Sequence, residues 1–301
     1  MNGIIIINKP KDYTSFGVVA VMRRLLGEKK IGHTGTLDPM ATGVLPILVG
    51  RATKLQSFIL EADKEYIATF QLGVTTDTLD ITGKVLSSVT SQVKATELED
   101  VLASFQGKIK QIPPMYSAVQ KSGVRLYDLA RKGIEVEREA REVTINELRL
   151  LRFDEASQNG TFFVNCSKGT YVRTLCADIG QKLGCGAVLT DLQRTKTCDF
   201  DIKNSITLDE AHELAAKETL MEHVLPCDVV LKQYKEVKLS EAQVNRFKNG
   251  VKLSLDRISG CNQFEKDTFV RAYGRDGKFI GLGKVNLEKN ELTVACLIEI
   301  A

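Results

Sequence analysis

The chain contains no tryptophan, and aromatic residues make up only 6% of its 301 positions. Large stacking platforms are therefore not indicated. Histidine is scarce: His33, His212 and His223 are too scattered to suggest a metal cluster. The seven cysteines are odd in number and include no CxxC pair. That argues against a disulfide framework or a zinc site and for reduced thiols. Long apolar runs are missing too. Gly3 to Ile7 and Val44 to Val49 fall far short of the ~20 residues that cross a bilayer. No basic residue precedes the first run and no small-residue cleavage site follows it, so it reads as a first strand rather than a signal peptide. The expectation is a cytoplasmic protein with no membrane contact. There is no dinucleotide fingerprint, fixed-period repeat or low-complexity tract.

What remains is an ordinary globular composition, 43% apolar and 26% charged, over a length that suits two domains. The net charge of +3 is uneven. Residues 108–132 carry six Lys/Arg (Lys108, Lys110, Lys121, Arg125, Arg131, Lys132) against Asp128 alone. Residues 232–301 carry thirteen basic against nine acidic residues. Two basic islands on an acidic body fit polyanion contacts as well as they fit a merely solvated surface.

Helix and strand signals are mixed. Thr14 or Ser15 predicts the cap of a helix with an apolar stripe at Val18, Val21, Met22 and Leu25, stopped by Gly27. Tyr66, Ala68, Phe70 and Leu72 alternate along a strand. Thr96 and Glu99 have the spacing of a capping box. Arg149–Phe153 and Thr161–Cys166 predict a hairpin joined near Asn159-Gly160, a strong turn signal. Further helices are expected from Tyr171 to Leu183, after Thr207 and after Ser240, with short strands beyond. Hairpins without regular strand–helix–strand spacing favour an α+β fold.

The densest segment is residues 31–54, with Gly32, Gly35, Gly43 and Gly50 around Asp38-Pro39. No Gly-Lys-Ser/Thr follows these glycines, so a phosphate-binding P-loop fits poorly. Proline forces Asp38 towards an extended conformation. The residues fit either a plain turn or a presented carboxylate. A second polar cluster, Lys168, Tyr171 and Arg173, stands at a helix entry. A guanidinium beside Asp38 would favour its ionised form, and such a carboxylate can act as a nucleophile. Tyr66 fits a core aromatic or a base-stacking ring, and His33 a loop hydrogen-bonder or an RNA contact.

GHTGTLDPMATGVLPILVGRATK, from Gly32 onward, resembles the catalytic signature of the TruB-type pseudouridine synthases, the bacterial tRNA pseudouridine-55 synthases. NKPKDYTS at 8–15, KEYIATFQLGVTTDTLDITG at 64–83, QIPPMYSAVQKSGVRLYDLARKG at 111–133 and CSKGTYVRTLCADIG at 166–180 resemble further motifs of that family, in family order. The resemblance implies a catalytic Asp38, held by Arg173, with Tyr66 stacking on the target base. It implies nucleotide or RNA contacts at His33, Tyr171, Leu192 and Asp80, and an RNA-gripping insertion at about 108–145 that includes Lys121 and Arg125. The fold implied is a mixed, largely antiparallel sheet with flanking helices over 1–231, then a small mostly-β PUA-like RNA-binding domain over 232–301. The activity implied is isomerisation of uridine in the T-arm loop of tRNA by base flipping. No cofactor, no metal and no obligate protein partner are expected, and a monomer is. A non-catalytic tRNA-binding or RNA-folding protein is the alternative. Two places depart from the family pattern: Cys198 stands where a glycine is common, and the end, ELTVACLIEIA, lacks a proline-containing finish.

Overall fold

The computed structural model describes residues 1–59, 63–121, 123–258, 264 and 268–299. Its strands are β1 (Gly3–Lys9), β2 (Ile31–His33), β3 (Thr42–Val49), β4 (Lys64–Leu72), β5 (Val74–Thr76), β6 (Val85–Ser88), β7 (Gly107–Gln111), β8 (Gln120–Lys121), β9 (Val124–Arg125), β10 (Arg141–Asp154), β11 (Asn159–Cys166), β12 (Ala187–Thr197), β13 (Phe200–Asp201), β14 (Lys235–Leu239), β15 (Leu253–Ser254), β16 (Phe269–Gly274), β17 (Phe279–Asn286) and β18 (Glu291–Leu297). The helices are α1 (Ser15–Leu25), α2 (Gln56–Ile59), α3 (Ala95–Ala103), α4 (Leu126–Arg131), α5 (Val172–Lys182), α6 (Leu208–Ala216) and α7 (Glu241–Lys248).

A nine-stranded sheet runs β1-β3-β12-β4-β11-β10-β7, with β2 added to β3 and β13 to β12. Every pairing in it is antiparallel except β3 with β12. A second sheet, β14-β16-β17-β18-β15, carries α7. The α+β expectation and the largely antiparallel sheet hold.

The continuous apolar run of β1 has a physical reason. Ile5 and Ile7 pack with α1 and α6 on one face, while Ile4 and Ile6 join Leu282, Cys296 and Ile298 of the second sheet on the other. A strand covered on both faces loses the alternation of a half-exposed one. By contrast β4 alternates, with Tyr66, Ala68, Phe70 and Leu72 buried against α3 and α5.

Pairing along β3 has a gap. β2 occupies Ile47 to Val49 and β12 occupies Thr42 and Gly43. Between them Pro46 accepts from Thr34 N–H at 3.2 Å and Val44 accepts from Arg194 Nε at 2.7 Å. The missing N–H of Pro46 faces this gap, so no ladder bond is lost. Residues 34–41 fill it.

The expected hairpin forms, with its turn over residues 155–158, just before Asn159-Gly160, which already pair with Asp154 and Phe153. The Asp154 carboxylate shapes the turn by accepting from Ala156 N–H and Ser157 Oγ, at 3.0 and 2.8 Å. Gly160 is needed inside the strand because a Cβ there would lie 2.4 Å from the Phe70 ring. Thr96 and Glu99 form no capping box. Lys94 is the N-cap of α3 and makes no side-chain cap bond. The Glu155 carboxylate instead accepts from Ala95 N–H at 2.9 Å and pairs with Lys94 at 3.1 Å. The boxes at Thr207/Glu210 and Ser240/Gln243 form as expected. Where glycine is absent at Cys198, both Cys198 and Asp199 take left-handed backbone, with φ of 53° and 64°.

The cap assignment predicts that Glu155→Ala lowers the urea midpoint of unfolding, while Thr96→Ala leaves it nearly unchanged. Urea unfolding of the two variants side by side checks this. Equal losses would refute it.

Candidate active site

Asp38 lies in the 34–41 segment, whose backbone is tied down on both sides of it. Buried Ser15, just after the Thr14 N-cap of α1, accepts from Leu37 N–H at 2.9 Å and donates to Leu37 C=O at 3.1 Å. The Pro39 carbonyl accepts from Asp12 N–H at 2.8 Å and from Lys9 Nζ at 3.1 Å. Lys9 is fully buried at the end of β1 and also donates to the carbonyls of Pro10 and Tyr13. Burial lowers its pKa to about 8, against the pull of Asp12 and Asp38. From β12, Arg194 grips the Gly35 and Val44 carbonyls while its hydrocarbon stem is sealed in the core. Gly43, at φ 104°, permits the close approach: a Cβ there would sit 2.1 Å from the Arg194 carbonyl oxygen.

Arg173 enters from the first turn of α5. Its Nε donates to Asp38 Oδ2 at 2.8 Å. Its Nη1 donates to Thr78 C=O at 2.9 Å and lies 3.7 Å from Asp80 Oδ2, and its Nη2 donates to Tyr116 C=O at 2.8 Å. The side chains of Arg173 and Asp80 are 4% and 7% exposed, whereas that of Asp38 is 35% exposed. Asp38 alone of the three reaches solvent. Desolvation raises its pKa above the ordinary carboxylate value; the Arg173 guanidinium opposes that rise and Asp80 adds to it.

The other sequence-derived residues are distributed around this group. Asp80 is turned inward, with Oδ1 accepting from Thr78 Oγ1 and from Thr82 N–H and Oγ1. It braces Arg173 rather than facing outward. Tyr66 is 6% exposed, on β4 opposite Arg194, in the buried cluster that holds Leu37, Met40 and Leu192. Burial raises its hydroxyl pKa. His33 is nearly buried, edge-on to Phe16 at 5.4 Å, and its Nδ1 has no hydrogen-bond partner. Burial and the Arg194 charge lower its pKa, so the imidazole is neutral near pH 7. The Tyr171 backbone is clamped by the Gln111 amide, through bonds of 2.7 and 3.1 Å. Lys121 and Arg125 lie apart from the carboxylate, exposed on the β8–β9 hairpin, with Lys121 Nζ on the Glu137 carbonyl at 2.7 Å. Lys108 is on β7 and pairs with Glu142 at 2.9 Å. Sequence reasoning missed Lys9, Ser15 and Arg194 as supports. The lone charge closing the apolar β1 run was the available signal for Lys9. Among the described residues, no group of three His, Cys, Asp or Glu is placed to hold a metal ion.

Family comparisons follow this geometry along the chain. A model of the TruB family pseudouridylate synthase N-terminal domain matches residues 23–172. Models of the tRNA pseudouridylate synthase B C-terminal domain and of the pseudouridine synthase II TruB C-terminal region match 173–232 and 236–292. A curated relative, tRNA pseudouridine synthase B of Clostridium tetani, is 46% identical over 289 residues, covering 96% of this chain and 97% of its own. The chain belongs to the TruB family of pseudouridylate synthases. Another TruB relative, tRNA pseudouridine synthase B of Syntrophotalea carbinolica, is 45% identical over 92% of this chain and 90% of its own. The fold is also that of the solved structures of an archaeal box H/ACA sRNP Nop10-Cbf5 complex and a Cbf5-Nop10-Gar1 complex. Their TM-scores are 0.74 and 0.73, at 23% and 25% identity, covering 99% of this chain and 86% and 84% of theirs. This TruB chain is a pseudouridine synthase, with Asp38, on the loop before β3, paired to Arg173 of α5.

The electrostatics of the pair predict a titration. The Asp38 carboxyl should titrate above the ordinary 3.8 in the wild type, and higher still in Arg173→Met, which removes the cation that opposes burial. Carbon-13 NMR of labelled aspartate carboxyls reads both. A midpoint that falls on losing Arg173 would contradict the assignment.

Proposed function

We propose that this synthase isomerises uridine at position 55, in the T-arm loop of tRNA, with Asp38 as its catalytic carboxylate. The observation that carries the reading is the exposure difference within the triad. Arg173 and Asp80 are sealed and Asp38 is open, so a substrate entering here meets a carboxylate whose far side is already fixed. The relatives' names, tRNA pseudouridine synthase B, support tRNA as the substrate.

The N1–C1′ bond of uridine breaks, the uracil turns while held, and C5 bonds to C1′. N1 gains a proton and C5 loses one, so nothing is oxidised or hydrolysed. The reaction needs a carboxylate near the sugar and the base edge, and Arg173 orients Asp38 through its rigid fork. The uridine must leave its stack, at a cost of a few kcal/mol. Tyr66 and Leu192 are assigned as the apolar floor that receives the ring. His33 and Tyr171 are assigned to contacts with the nucleotide or its neighbours, the His33 imidazole being neutral. Asp80 acts through Arg173 as a positioning residue.

The hairpin with Lys121 and Arg125, and Arg131 on α4, are assigned to the RNA backbone. They belong to the segment whose Tyr116 carbonyl is bonded to Arg173, so grip and carboxylate are mechanically linked. The division at about residue 231 into a synthase domain and a PUA-like RNA-binding domain, a monomeric state and a cytoplasmic location complete the proposal. No helix among the described residues is long and apolar enough to cross a membrane.

Tritium release from tRNA labelled at C5 of uridine, in EDTA without added cofactor, tests the centre of this reading. Wild type should release tritium, with the new pseudouridine mapping to position 55. Asp38→Asn should lower the rate by at least about 1,000-fold while keeping tRNA affinity within a few-fold. Release by neither protein, with tight tRNA binding, would favour a non-catalytic RNA-folding role. A second measurement concerns the grip. Changing Lys121, Arg125 and Arg131 to Ala should weaken tRNA binding and flatten the log–log salt dependence by about 1 for each phosphate that is no longer neutralised. An unchanged slope would reduce these charges to surface solvation.

A further inference from the structure

Of the chain's nineteen aromatic residues, seven Tyr and twelve Phe, seventeen are buried or half-buried. The two exceptions are Tyr13, 44% exposed, and Phe16, 65% exposed. They stand three residues apart on one short segment. That segment is bonded to the Asp38 loop at three points: the Tyr13 carbonyl shares Lys9 Nζ with the Pro39 carbonyl, Asp12 N–H donates to Pro39, and Ser15 Oγ exchanges two bonds with Leu37. Single exposed apolar residues are ordinary on a protein surface. Here, though, every other aromatic in the chain is covered at least in part, and the two that are open both adjoin the one solvent-facing carboxylate of the site.

Phe16 also touches the site directly. Its ring meets His33 edge-to-face, 5.4 Å between centroids and 81° between planes. Edge-to-face contact covers little of an aromatic face, and 65% exposure leaves room for a second ring to stack. The neighbouring His33 Nδ1 is buried and has no hydrogen-bond partner. A flat, open apolar face matches the π surface of an unpaired nucleobase. A flipped uridine leaves neighbours in the loop that have lost a stacking partner.

We propose that Phe16, with Tyr13 beside it, forms a stacking ledge for an unpaired base next to the flipped uridine. The proposal rests on the functional reading above. Phe16 there contacts RNA rather than the reacting atoms, and it shares the binding of the opened loop with the pocket floor.

The test uses a T-arm stem-loop carrying 2-aminopurine in turn at the nucleotides flanking the target uridine, with the full-length protein. At one flanking position, wild type should quench the fluorescence, and Phe16→Ala and Phe16→Leu should lose that quenching. Both variants should bind the stem-loop roughly 10-fold more weakly, equivalent to about 1.4 kcal/mol, with an unchanged salt slope. Phe16→Trp should restore both signals. Phe16→Leu keeps an apolar cover over His33, so wild-type behaviour of that variant would overturn the ledge. So would an unchanged Phe16→Ala. Tritium release by wild type on the same stem-loop separates the two readings. Normal turnover with an unchanged Phe16→Ala rejects the ledge alone, whereas no turnover rejects the functional reading and the ledge with it.

Discussion

One buried guanidinium sets the terms for the catalytic half of this molecule. Arg173 is 4% exposed, and a charge so far from water requires acceptors in every direction its nitrogens point. It finds them in four places drawn from three distant stretches of chain: the Asp38 carboxylate, the Thr78 carbonyl with the Asp80 carboxylate, and the Tyr116 carbonyl. Each stretch belongs to a different surface loop. Each is held where it is because moving away would leave a cation unmatched in low dielectric. The planar fork fixes direction as well as distance, which a lysine would not do.

The opposite side of the Asp38 loop is held by a different device. Lys9 and Arg194 direct their donors at backbone carbonyls rather than carboxylates. That choice leaves Asp38 as the accessible anion while the surrounding main chain stays satisfied. The gap in pairing along β3 is part of the same arrangement. A regular ladder would have left no space for the loop, and Pro46 is the residue type that tolerates the interruption.

Much of this is legible in the residues themselves. The period-two pattern of Tyr66 to Leu72, the caps at Thr14, Thr207 and Ser240, and the mixed sheet are local signals that tertiary structure did not override. Asp38 and Arg173 are marked by their loop chemistry and brought together by resemblance, and the structure places them 2.8 Å apart. The failures share a cause. Glu155 caps α3 from about sixty residues away in sequence, where Thr96 and Glu99 have the local spacing of a box. Lys9, Ser15 and Arg194 act by reaching across the fold to backbone groups, and sequence spacing carries no record of such long-range bonds.

The two-sided burial of β1 has a consequence for how the protein is made. Ile5 and Ile7 can be covered once α1 and β3 exist, but Ile4 and Ile6 lie against Leu282, Cys296 and Ile298, near the far end of the chain. During vectorial synthesis this isoleucine-rich strand therefore emerges long before the strands that supply its second cover. That delay couples the stability of β1 to strands β17 and β18, which are made much later.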